Sequence, residues 1–380
     1  MIVFMNQSLE NMTVGILTVN DQSNYGNRLQ NYAIQKLLGR FSHDVVTVYG
    51  YLGCNNSFAL LKKKMKRKFL HPLKTRLFAG LPSSRQLLGR QRRRFDEFTA
   101  RYINDTRCSV SSVSGLEAKG QKPGIFVLGS DQIWNDRWLT PSDLVLRLGG
   151  FSAQEPVISY AASFGVDEVE DNYKKIFESY LPRLSAISVR EEKAVSLVKS
   201  LSGQQAQVVL DPTLMLSPDE WLTITNGFVP DDDRYVLTYF LGKPTAAQDA
   251  RIRQYAEANH CRIRRILDPS DPETYVAGPA EFVELIQKAQ YVFTDSYHAC
   301  CFSVLFNVQF KVFSRSGIEK KSNMNSRMET LFHLFELGKT MEDEDNSKPI
   351  DYEKVNRLLD SLRNQSNEWL FNALSAAEIR

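Results

Sequence analysis

At 380 residues, with 43% apolar and 24% charged side chains and a net charge of +3, the chain carries enough apolar surface for two cores and lacks the imbalance of a disordered protein. No stretch approaches the ~20 uninterrupted apolar residues of a membrane span, and the N-terminal MIVFMNQSLENM has no basic n-region of a secretory signal. Five cysteines without metal-type spacing, Cys300 and Cys301 adjacent, read as packing thiols of a reducing cytoplasm, and no tightly held metal is expected.

In chain order, TVGILTV (13–19) reads as a buried strand. The polar loop NDQSNYGNRLQ leads into a helix with Leu29, Tyr32, Ala33 and Leu37 on one face and Gly39 near its end, and DVVTVYGY (44–51) is the next strand. Residues 61–107 then hold 15 Lys or Arg against 3 acidic residues, which leaves the rest of the chain acidic. This basic helical insert, about 55–110, is either a solvated face or a surface for an acidic lipid leaflet or a phosphate-bearing acceptor. No reading motif points to nucleic acid.

After the insert the strand–loop–helix pattern returns. GIFVLGSDQIW (124–134), PVISYAASFG (156–165), AISV (186–189) and QVVLDPTLML (207–216) each run from an apolar strand into a polar or small-residue loop. A second series starts at RYVLTYFLGK (234–243), continues through CRIRRIL and QYVFTDSYHACCFSVLF, and ends in the strand VQFKVFSR and a helix over 355–374. The expectation is an α/β, GT-B-like architecture of two Rossmann-like doubly wound domains facing a cleft: 1–205 with the insert, 206–345, and a helical tail at 346–380. Ligands of such sheets bind beyond the carboxyl ends of the strands, where every polar loop named above falls.

Each loop alone says little. NYGNRLQ has one glycine where a dinucleotide fingerprint needs three, and neither a phosphate-binding GxxxxGK[ST] loop nor a GxSxG elbow occurs. The exception is FTDSYHACC (293–301). Thr294, Asp295 or Ser296 can cap the helix that follows, but capping does not call for His298, and imidazole at a strand-to-helix junction suits acid–base work.

Together, NYGNRLQNYAIQKLL, VLGSDQIWN, ISYAASFG, ISVREEKA, VVLDPTLML, YVLTYFL and FTDSYHACCFSVLFN resemble the polysaccharide pyruvyl transferase family from about residue 13 to about 340. The resemblance implies transfer of an enolpyruvyl group from phosphoenolpyruvate to a sugar of a surface or exopolysaccharide glycan or its lipid-linked precursor. The product is a pyruvate ketal, with phosphate released and no cofactor beyond the donor. It assigns Arg190 to the donor's carboxylate or phosphate, with Arg28 as a second candidate, and His298 to acid–base catalysis. Asp295 orients His298 or caps the helix, and Ser296 binds phosphate. Asn24 and Tyr25 hold the NYG loop near the phosphate. Ser130, Asp131, Gln132 and Trp134 form the acceptor side, with Asp131 as an alternative base and Trp134 as a flat face for the sugar. Asn325 and Arg327 close the cleft from the second domain. The family pattern has glycine where this chain has Ala299, and a positive φ there would disfavour alanine. Two other readings stay open. One is a glycosyltransferase using a nucleotide sugar, for which ILDPSDPET (266–274) is the candidate ribose-binding stretch. The other is a non-catalytic glycan-binding protein. The expected location is cytoplasmic, with the basic segment making peripheral contact with the inner face of the membrane. The oligomeric state is left open.

Overall fold

The computed structural model describes residues 10–49, 84–109, 123–152, 154–313, 325–338 and 349–378. Seven parallel strands form the first sheet: β1 (Val14–Leu17), β2 (Val45–Tyr49), β3 (Asp105–Ser109), β4 (Ile125–Leu128), β5 (Val157–Ala162), β6 (Ala186–Val189) and β7 (Gln207–Val208). Their order is β3-β2-β1-β4-β5-β6-β7, so the chain starts at the centre, winds to one edge, and returns to wind to the other. VGIL, IFVL and VISYAA are buried along their whole length, which explains why these strands read as unbroken apolar runs. Helix α1 (Tyr25–Leu38) and α2 (Ser84–Tyr102) follow β1 and β2, while α3 (Pro141–Arg147), α4 (Asp171–Tyr180) and α5 (Glu192–Ser202) follow β4, β5 and β6.

The second sheet has β8 (Tyr235–Tyr239), β9 (Arg262–Ile266), β10 (Tyr291–Thr294) and β11 (Phe310–Val312), all parallel, in the order β11-β10-β8-β9. Two short helices, α6 (Pro212–Met215) and α7 (Pro218–Leu222), carry the chain into it. The others are α8 (Ala246–Ala258), α9 (Pro272–Tyr275), α10 (Pro279–Gln287), α11 (Tyr297–Leu305), α12 (Asn325–Leu334) and the closing α13 (Tyr352–Glu378). The GT-B-like pair of Rossmann-like domains is therefore present. A single apolar core spans both, joining Val14, Ile16 and Leu29 to Leu237, Phe282 and Phe302. This common core fixes how the strand ends of one domain face those of the other.

The structure shifts one expected domain bound and shows what the insert and the closing helix pack on. The first sheet takes in β7, so the first domain runs past 205. The basic insert is tied into both domains. Its described part is α2, whose Gln91 donates to Tyr25 Oη and to the Tyr275 carbonyl, bracing both domains, and β3 then joins the sheet edge. The closing helix of the C-terminal tail is present as well. It packs under the first sheet, where Ser366 Oγ accepts from the Leu210 amide. Lys62 to Lys68, the densest basic run, lies outside the described residues. Among the described residues no helix is long and apolar enough to cross a membrane.

Candidate active site

Arg190 leaves the end of β6 fully buried and meets two carboxylates from other strands. Its Nη1 donates to Asp211 Oδ2 at 2.8 Å and its Nη2 to Asp131 Oδ1 at 3.0 Å. Along the chain Arg190 is followed by Glu191 and Glu192. In the fold Glu191 turns away and accepts from Ser163 Oγ and the amides of Phe164 and Gly165. The guanidinium also lies 4.5 Å over the Tyr297 ring, a cation–π contact. Burial opposes the charge on Arg190, but the two carboxylates outweigh it and raise its pKa.

The two acids are held ionised. Burial pushes the Asp131 carboxyl up, yet Arg190, His298 and Arg327 bring it down to about 2. Asp211 is likewise lowered, its burial overcome by His298 and Arg190. A carboxylate at about 2 is a fixed charge and a poor proton acceptor, so Asp131 does not suit the alternative role of base. Arg327 reaches in from α12, its Nη1 3.9 Å from Asp131 Oδ1 and its guanidinium 5.9 Å from the Tyr297 ring. Burial and the neighbouring Arg190 pull its pKa down to about 10. Gln132, with its amide oxygen turned to Arg327, accepts from both terminal nitrogens at 2.6 Å.

His298 is in the first turn of α11, with 8% of the residue exposed. Its ring packs on the backbone of α1, because a Cβ placed on Gly26 would come 2.2 Å from Nδ1. The glycine of NYG is therefore a matter of space: no other residue lets the imidazole sit there. Nε2 points inward, 3.8 Å from Asp211 Oδ2. Burial lowers its pKa below the ordinary 6.5, although Asp211 and Asp131 pull the other way. His298 Nε2, Arg190 Nε and Arg327 Nε are all buried with no hydrogen-bond partner among the described residues, and all three side chains lie against Tyr297.

Several expected site residues do other work. Asp295 neither orients His298 nor caps α11. It accepts from the amides of Leu241 at 2.7 Å and Gly242 at 2.9 Å, tying down the loop after β8. Ser296 holds the cap position without a side-chain cap bond, and its amide donates to Thr294 Oγ1. Trp134 offers no face to a sugar; it is buried against Phe164, its Nε1 donating to the Arg147 carbonyl. Tyr25 stacks on Phe282 and donates to the Ala277 carbonyl, joining the two domains. Arg28 is fully buried and donates to Asn20 Oδ1, and Asn24 caps α1 by accepting from the Asn27 amide. Ser130 Oγ donates to Asp211 Oδ2 at 3.0 Å, so it positions the acid. Asn325 opens α12, and its side chain lies outside the described residues.

The family model described as polysaccharide pyruvyl transferase matches residues 24–317, which takes in Gly26, Asp131, Arg190, Asp211 and His298 but stops short of Arg327. The chain belongs to the polysaccharide pyruvyl transferase family. No curated protein matches it. Among solved structures it is similar to a UDP-GlcNAc 2-epimerase from Methanocaldococcus jannaschii, at 14% identity over 93% of each chain, with a TM-score of 0.44. It is also similar to Medicago truncatula UGT71G1 complexed with UDP-glucose, at 11% identity over 97% of this chain and 100% of that one, TM-score 0.44. At such values the likeness has no bearing on substrate.

For this pyruvyl transferase family member, the backbone at Ala299 does not call for glycine. The position is the third residue of α11, fully buried and without positive φ, where alanine is the better helix former. Sequence reading missed two residues that the family's loops bring here, Asp211 and Gly26. Asp211 was hidden by a sufficient local explanation, since it caps α6 by accepting from the Thr213 amide. The signal was its place just beyond a buried strand, where a second carboxylate oxygen was left to account for.

Proposed function

We propose that the chain transfers an enolpyruvyl group from phosphoenolpyruvate to two hydroxyls of a sugar in a surface polysaccharide or its lipid-linked precursor. One observation carries this reading: three buried nitrogens, Arg190 Nε, Arg327 Nε and His298 Nε2, lie on side chains gathered around Tyr297 and have no hydrogen-bond partner among the described residues. Buried donors are normally satisfied, and a compact substrate with a carboxylate and a phosphate supplies the missing acceptors. Arg327 and Arg190 take the anionic groups, and Asp131 and Asp211 keep the arginines in place.

The chemistry then follows from His298. A proton goes from Nε2 to the methylene carbon of the donor, leaving positive character on the adjacent carbon, which the first sugar hydroxyl attacks. That hydroxyl's proton returns to Nε2. The carbon–oxygen bond to phosphate breaks, and the second hydroxyl closes the ketal, its proton leaving with phosphate. Two hydroxyl protons enter, one ends in the new methyl group and one on phosphate, so the sum balances.

Calorimetric titration with phosphoenolpyruvate and, separately, with a set of nucleotide sugars tests the donor. Saturable binding of phosphoenolpyruvate is expected, weakened about 10- to 100-fold by Arg327→Ala, the scale of a lost charge-assisted hydrogen bond. Binding of a nucleotide sugar alone would replace this reading with glycosyl transfer.

A further inference from the structure

We propose that Asp211 is the positioning residue that lets His298 take up and hold a proton inside the site. This goes beyond the pyruvyl-transfer reading and rests on it. Asp211 is more heavily anchored than an N-cap needs. Oδ1 accepts from the Thr213 amide at 3.0 Å and its Oγ1 at 2.7 Å, which completes the cap. Oδ2 has a separate set of neighbours: Arg190 Nη1 at 2.8 Å, Ser130 Oγ at 3.0 Å and His298 Nε2 at 3.8 Å. The carboxylate has no exposure and cannot swing.

At 3.8 Å the contact with Nε2 is too long for a hydrogen bond, but it is strong as a charge interaction in a dry site. The imidazole is also fixed, because its Nδ1 edge lies on the Gly26 backbone. The charged groups facing it are Asp211 and Asp131, which favour imidazolium, and Arg190 and Arg327, which oppose it, with Tyr297 alongside. The two arginines offset part of what the two acids contribute, and in the free protein burial outweighs the acids and lowers the pKa of the ring. The donor changes that balance. Phosphoenolpyruvate brings a carboxylate and a phosphate near its dianionic form at neutral pH, and among the described residues His298 is the neutral group at this site that can answer with a positive charge. Asp211 supplies the resident half of that stabilisation and the donor the other half. The enzyme thus arms its acid only when there is something to protonate. Asp211 itself touches no substrate.

The test is an imidazole NMR titration of the free, full-length protein, with His298→Gln identifying the signal among five histidines. Asp211→Asn keeps an acceptor for Thr213 but removes the charge, and it should lower the His298 midpoint by about one unit or more, whereas Asp211→Glu should retain it. An unchanged midpoint in Asp211→Asn overturns the assignment. Should that variant not fold, calorimetry of the wild type with phosphoenolpyruvate in two buffers of different ionisation heat decides the matter. Proton uptake on binding is expected, and binding without uptake overturns the role of Asp211 alone. Failure of phosphoenolpyruvate to bind at all overturns the donor reading and this role with it.

Discussion

The loop after β4 and the loop after β10 look alike in sequence. Each follows a buried strand, and each offers a carboxylate among small polar residues, Asp131 in GSDQ and Asp295 in TDSYH. In the fold they part. Asp131, at φ 68°, aims its carboxylate into the site, where Arg190 holds it. Asp295, also buried, holds two amides of the β8 loop. The histidine three residues further on finds its acid in neither loop but in Asp211, beyond β7. A carboxylate's neighbour in sequence does not decide its partner; the order of strands in the sheet does.

The contrast can be broken most forcefully at Arg190. Removing it leaves buried Asp211 without its guanidinium and Asp131 with Arg327 only at 3.9 Å, so Arg190→Ala should cost about 3–5 kcal/mol of stability by denaturant unfolding. A loss below about 1 kcal/mol would mean that Asp131 and Asp211 are not held as described. Next in size is Gly26→Ala, which needs no charge change. Its methyl group displaces the imidazole, and turnover should fall on the order of 10²-fold while the melting temperature moves little. Retained turnover would show that His298 need not sit where it does.

Asp295→Asn sharpens the other half of the comparison. With one acceptor for two amides, it should lose about 1–2 kcal/mol of stability and leave the His298 titration in place. A shifted titration would return Asp295 to the site. The smallest effect is that of pH on the free protein. The pKa of His298 is depressed on folding, so the unfolded chain binds the proton more readily. The contribution from the buried neutral ring is then complete above about 6.5 and is lost as pH falls below it. Melting temperature followed from pH 7.5 to 5.5 should fall more steeply in wild type than in His298→Gln, and equal slopes would contradict the burial of a neutral ring.

Much of the architecture was legible because it rests on local rules. Apolar runs such as IFVL and VISYAA mark buried parallel strands, and the two series of strands and helices announced two domains. Arg190 and His298 stood out because each follows such a strand. Trp134 was misread because a tryptophan in a polar loop looks available, whereas the chain folds back and seals it against Phe164. The edge strand β3 was missed because DTRCS is short and polar, and an edge position tolerates that.

The sequence by itself determined the layers, the loops that carry polar groups and the residue types delivered there. Periodicity, caps and turns act over a few residues, so they are written locally. Tertiary structure alone decided the pairings: Asp211 with Arg190, the ring of His298 on Gly26, Asp295 on the β8 amides and Arg327 over Tyr297. These depend on which strands lie side by side and how the domains meet across their common core. In a buried site, those distances decide which charges persist and which proton moves.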